Sequence, residues 1–187
     1  NSWFVSGRFG GQADGYMDGG IINKNNNGNL QLAVGNQGSI GAVVTFTQNG
    51  GTINCQSEYH IATDNSLAMC TNNVGGTAVL NVGNWLAVGR NGGRGTLNLS
   101  GAAAITKTGL NGGNVSIGAN GGGNGSSSIG VINQTGGTFT NTATETMIGE
   151  SGSGTWNLDA GTAVLGSVIM CVDSSASGQL NFNGVLF

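Results

Sequence analysis

Short alternations of apolar and polar residues recur along this chain, each bounded by Gly, Asn or Ser. Leu97-Asn98-Leu99 and Leu180-Asn181-Phe182 are the clearest. A period of two marks a β-strand that buries one face, and Gly, Asn and Asp between such runs supply the positive φ that sharp turns need. The alternation predicts three short strands per unit. First strands fall at Trp3–Val5, Leu30–Val34, Trp85–Val88 and Val168–Val172. Second strands are the Leu-Asn-Leu segments, and third strands fall at Thr52–Asn54, Ala78–Leu80, Ala103–Thr106, Thr138–Thr140, Ala163–Leu165 and Val185–Phe187.

The units repeat. Gly89 and Gly101 stand twelve residues apart, as do Gly149 and Gly161, and Gly7 and Gly19. Gly178–Gly184 copies Gly95–Gly101. Taking Gly7, Gly35, Thr63, Gly89, Gly118, Gly149 and Val172 as equivalent anchors gives seven copies of a unit of roughly 27 residues. Fixed-period self-similarity of this length is the mark of a solenoid. Strands this short bury nothing alone, but coils stacked at the strand spacing of about 4.8 Å bury a continuous interior. The expected fold is all-β: a right-handed parallel β-solenoid (β-helix) of about seven coils, three strands each, forming a single domain over residues 1–187. Insertions then belong at turns such as Asn120–Ser128. An antiparallel sandwich or barrel also uses short strands, but would not require seven repeats of one anchor.

Composition agrees. Gly contributes 38 of 187 residues, Asn 25 and Pro none, and only 7 % are charged. Stacking places like on like, so charges would repel across neighbouring strands, and Pro would remove a hydrogen bond between coils. Helix is disfavoured, since each Gly costs about 1 kcal/mol relative to Ala. A net charge of −3 offers no basic footprint for nucleic acid, and no apolar run is long enough to span a membrane as a helix.

The segments Ala87-Val88-Gly89 with Gly95–Gly101, and Gly149 with Gly154-Thr155-Trp156-Asn157-Leu158, resemble the VG-x-x-G-x-G-T-L-N-x-S-G-G-T units of bacterial surface β-solenoid repeat proteins. These are autotransporter-type passengers and PEP-CTERM-type exported repeat proteins. The resemblance implies a secreted or cell-surface location and a structural role. It carries over no catalytic residue. The chain holds a nearly whole number of coils without a polar cap at either end, as expected of a segment of a longer solenoid or of subunits stacking head to tail into a filament.

No catalytic, cofactor or metal site is expected. His60 is the only histidine, and the eight acids include just one close pair, Asp14 and Asp18, with too few oxygens for calcium. Cys55, Cys70 and Cys171 form an odd set without metal spacing and read as small, half-buried hydrophobes, with a Cys55–Cys70 disulfide as the alternative. Asn98, Asn114, Asn124 and Asn133 match the glycan-acceptor pattern. Thr135–Thr146 is rich in Thr, and Trp3, Trp85 and Trp156 suit packing better than sugar stacking. The expected function is a non-enzymatic extracellular structural protein, a subunit or segment of a self-associating filament, sheath or stalk. The alternative is an adhesin binding surface glycans along one face.

Overall fold

The structure, a computed structural model, describes residues 3–25, 28–35, 41–119 and 128–183. Sixteen strands form one sheet in which every pairing is parallel, wound as a β-solenoid of about six full turns and a partial seventh. There is no helix among the described residues, hence none long and apolar enough to cross a membrane.

Each coil has three faces. The first carries β1 (Phe4–Arg8), β4 (Leu30–Val34), β7 (Tyr59–Thr63), β10 (Leu86–Arg90) and β13 (Val115–Ala119). The second carries β2 (Gln12–Met17), β5 (Val43–Gln48), β8 (Met69–Val74), β11 (Arg94–Leu99) and β16 (Ser177–Phe182). The third carries β3 (Ile21–Lys24), β6 (Thr52–Cys55), β9 (Val79–Val82) and β12 (Ala104–Lys107). In the later coils the turns are absorbed into continuous strands, β14 (Ile129–Ile148) and β15 (Ser153–Met170), which run over all three faces with register shifts at the corners.

The stacking columns follow from the registers. Inside lie Leu30, Tyr59, Leu86 and Val115, and beside them Leu32, Ile61, Val88, Ile117 and Ile148. The third face adds Ile53, Leu80, Ile105 and Phe139. Nearly all of these are fully buried. A fully buried Leu, Ile or Val contributes roughly 1.5–3 kcal/mol by leaving water, so the interior columns are the main stabilising term.

One backbone column fixes the path. Gly7, Ala33, Ala62, Gly89, Gly118, Gly149 and Cys171 occupy the same register position, and all seven are left-handed, with φ between 55 and 73°. This corrects three anchors. Gly35, Thr63 and Val172 are not the equivalents of Gly89; Ala33, Ala62 and Cys171 are. The reason is energetic: a non-Gly residue can be held left-handed at a cost of about 1–2 kcal/mol, so the position does not require Gly. Likewise Gly20 (φ 82°) takes the left-handed corner after the second face, not Gly19. The first strand also runs Phe4–Arg8, beyond the expected Trp3–Val5. Seven anchors predict seven coils, but the last turn is partial; Asn120–Ser127 and Val185–Phe187 lie outside the described residues.

A second column brings the first two faces together. Gly95, Gly130, Gly154 and Gly178 are register partners. A Cβ on Gly130 would lie 2.1 Å from the Val88 carbonyl oxygen and 2.4 Å from the Gly118 nitrogen. Earlier coils carry Ala13, Val44 and Cys70 in this column.

Gly118→Ala meets both constraints, a left-handed φ and a Cβ 2.5 Å from the Ser153 carbonyl oxygen. It is expected to destabilise the fold by about 2–4 kcal/mol. Cys171→Gly, at the same column position on an exposed coil, should be neutral or stabilising. Urea midpoints of the two variants check this.

Candidate functional site

Polar chemistry lies on the outer faces and at the corners. On the second face, the outward residues Thr47, Asn73, Asn98, Asn133, Asn157 and Asn181 stack into one ladder. Each Asn donates from Nδ2 to the preceding rung, at 3.2, 2.8, 3.0, 2.8 and 2.7 Å in turn. On the third face Asn54 donates to Asn23 and Asn81 to Asn54, both at 2.8 Å. Every interior Asn thus uses one N–H and one lone pair along the axis and turns the others to solvent. Two of the glycan-acceptor asparagines, Asn98 and Asn133, are ladder members, and Asn114 donates to Glu145 Oε2 at 3.4 Å; Asn124 lies outside the described residues.

The threonines differ from the sequence expectation in a useful way. Thr138 and Thr140 lie on the third face, whereas Thr146 is buried on the first. The local run therefore wraps around the coil. The aligned column is Thr45, Thr71, Thr96 and Thr155, interrupted by Val131, next to the Asn ladder.

His60 sits in a concentrated polar array that includes charged groups. It is fully buried, with Gln31 Nε2 3.0 Å from its Nδ1 and Glu58 Oε2 2.9 Å from its Nε2. An amide donating to Nδ1 leaves the ring proton on Nε2, facing Glu58. The Glu58 approach is short but off the line of the ring N–H, so Nε2 lacks an aligned acceptor. Asn29 donates to Glu58 at 2.8 Å and accepts from Ser57 at 2.9 Å. The Trp85 indole stands edge-on to the imidazole, donates to Ser116 at 2.7 Å and carries the Arg90 guanidinium 4.7 Å from its ring centre. Burial holds His60 below its ordinary pKa, against the opposing pull of Glu58. Contact with His60 holds the Glu58 carboxyl below the usual carboxylate range.

Several buried polar side chains had no signal in the sequence. Asn72 donates to the Tyr59 hydroxyl at 3.0 Å inside the core. Gln134 binds the carbonyls of Gly137 and Thr162, and Gln48 those of Gly51 and Val79, at one corner. Lys107 donates from Nζ to the carbonyls of Gly83 and Gly112 at 3.3 and 2.7 Å, and Lys24 to that of Asn25 at 3.0 Å. Desolvation lowers the Lys107 pKa to about 8. The Gln and Lys side chains satisfy backbone carbonyls where the chain turns, as buried polar groups generally must be paired.

The acids are dispersed. Asp18 accepts from Asn49, Asp64 from Asn91 and Asp159 from Asn183. Asp14 lies exposed on β2, and Asp18 follows the same strand at the corner. Arg94 donates to the Ser66 carbonyl instead of facing an acid. Among the described residues no three His, Cys, Asp or Glu side chains gather as for a metal ion. All three cysteines are free thiols: Cys55 and Cys70 are buried, and Cys171 is exposed, unlike the half-buried expectation. Burial pushes the Cys70 thiol up to about 12. Trp156 is fully buried against Phe139, ring centres 4.8 Å apart, but Trp3 is 58 % exposed. A groove of about 460 Å³ runs across the third face and its following corner, bordered by Asn23, Asn54, Asn81, Gln56 and Leu110.

Replacing Asn133 by Ala severs two ladder bonds and should cost about 1–3 kcal/mol, with the terminal Asn181→Ala costing about half as much; chemical denaturation measures both. A second expectation concerns acid. The unfolded state binds more protons than the folded one at both His60 and Glu58, because both folded pKa values are depressed. The contribution of these two groups is therefore full above the ordinary histidine range and is lost as pH falls, first through about 6.5 and then through the carboxylate range. His60→Gln should remove the upper step, read from urea midpoints across pH.

The chain matches no family model, no curated protein sequence and no solved structure.

Proposed function

We propose that this chain is a non-enzymatic structural element, a subunit or segment of a rod-like extracellular filament, sheath or stalk that grows by adding coils end to end. The carrying observation is the match between the outer edges of the first and last coils among the described residues. β1, β2 and β3 each pair on one side only, and residues 162–170 of β15 likewise form an edge among the described residues. Continuing the register places Gly7 of a second copy on Cys171, and both are already left-handed, with φ of 70 and 55°. The corner needs no rearrangement to accept another coil. Apolar side chains stand exposed at both edges: Trp3, Phe4 and Ile21 at one, Val168, Met170 and Phe182 at the other. Unpaired parallel edges of this kind template further pairing, and a contact between unlike ends builds an open filament.

The mechanism is mechanical. Nearest-neighbour stacking makes stability roughly a sum over coils and interfaces, so a longer rod is harder to unfold. The non-enzymatic reading is supported by the dispersal of the acids, of which Asp18, Asp64 and Asp159 are each engaged by a different Asn. The secreted or surface location is supported by the resemblance of the Gly89–Gly101 repeat.

Negative-stain micrographs and sizing across a dilution series test the proposal. Rods that lengthen with concentration are expected. Phe4 N–H bonds to the Asn29 carbonyl on the β4 side, so the next residue turns its N–H away from that pairing. Val5→Pro should therefore abolish the rods and spare the β1–β4 hydrogen bonds. A monodisperse monomer at every concentration contradicts the reading.

A further inference from the structure

The groove across the third face joins an uncharged amide row to a concave cleft with an aliphatic rim. None of its bordering side chains is charged. Asn23, Asn54 and Asn81 line it in register, one per coil, at the rung spacing of about 4.8 Å. Their mutual bonds run along the axis, leaving the Asn23 amide N–H groups and the Asn81 carbonyl oxygen without a partner among the described residues. Asn25 and Gln56 border the groove with side-chain amides that are exposed and engaged by no other side chain. The nearest cations, Lys24 and Lys107, are buried and turn their ammonium groups onto the carbonyls of Asn25, Gly83 and Gly112. Leu110 stands at the rim, 69 % exposed, and supplies the one large apolar surface.

An amide both donates and accepts, and so does an alcohol. A row of amides at fixed spacing, without net charge and beside one aliphatic wall, matches a chain of vicinal hydroxyls with a C–H face. The volume of about 460 Å³ falls within the usual range of ligand clefts, about 300–1,000 Å³. We infer that the groove of Asn23, Asn54 and Asn81 binds a short stretch of an uncharged polysaccharide lying along the solenoid axis, its hydroxyls on the amides and a pyranose C–H face on Leu110. Asn23 lies on the β3 edge, where a second copy would stack, but Asn54, Asn81, Gln56 and Leu110 lie away from it, so most of the groove stays open in a filament, and its failure leaves the filament reading untouched. Without an aromatic platform, single-site affinity is weak, and a rod carrying one groove per subunit would gain avidity by repetition.

Isothermal titration and amide chemical-shift mapping with four defined probes test it: linear oligosaccharides of β-linked glucose, of mannose and of N-acetylglucosamine, and an oligo-alginate as the charged control. At least one neutral probe is expected to bind with a dissociation constant of about 1 mM or tighter, shifting Asn23, Asn54 and Asn81, while the alginate does not. The triple variant Asn25→Ala, Gln56→Ala, Leu110→Ala touches only exposed side chains. It should keep the wild-type melting temperature and lose at least about tenfold in affinity. Thr96→Ala, on the second face, should change neither. Binding of none of the neutral probes, equal binding of alginate, or undiminished affinity in the triple variant overturns the inference.

Discussion

Every coil must return to the same register it left, because the hydrogen bonds that hold the molecule run between coils along the axis. That requirement governs the rest. It fixes a left-handed residue on the first face of every turn, occupied by Gly7, Ala33, Ala62, Gly89, Gly118, Gly149 and Cys171. It sets Gly95, Gly130, Gly154 and Gly178 against the backbone of the preceding face. It also aligns side chains into columns, so that composition becomes a property of columns. Asn tolerates stacking on itself because one amide donates to the next, whereas a carboxylate stacked on a carboxylate repels. The acids accordingly lie mostly at corners, held by Asn49, Asn91 and Asn183.

The architecture was legible because its constraint acts locally. Alternation gave the second strands, and the paired glycines of Gly89–Gly101 and Gly149–Gly161 gave the corners. The errors arose where the constraint acts on conformation and not on residue type. Ala33, Ala62 and Cys171 adopt the Gly conformation without being Gly, so an anchor search slides to Gly35, Thr63 and Val172. The columns themselves were hidden, since they join residues about one coil apart. Thr135–Thr146 looks like an array in the sequence and wraps around three faces. Thr45, Thr71, Thr96 and Thr155 look scattered and stand in line.

The polar interior was the least legible part. Lys107, Gln48, Gln134 and Asn72 sit at positions that alternation marks only as inward; the first three depend on which carbonyls a corner leaves unpaired, and Asn72 on the Tyr59 hydroxyl. His60 likewise becomes meaningful only when stacking brings Gln31 beneath it and Trp85 beside it. The same holds for the third-face groove: its amides come from three separate coils, and only the register makes them one surface.

The central claim is therefore parallel, in-register stacking of consecutive coils, and cross-linking reads it directly. Thr71 and Thr96 are outward-facing register partners on β8 and β11. With Cys171 replaced by Ser, the pair Thr71→Cys and Thr96→Cys should oxidise to an intramolecular disulfide, since adjacent-strand partners fall within the Cα separation of about 4.4–6.8 Å that the bond requires. The pair Asn73→Cys and Arg94→Cys, four residues out of register on the same two strands, should not. Efficient closure of the second pair in preference to the first would contradict the account.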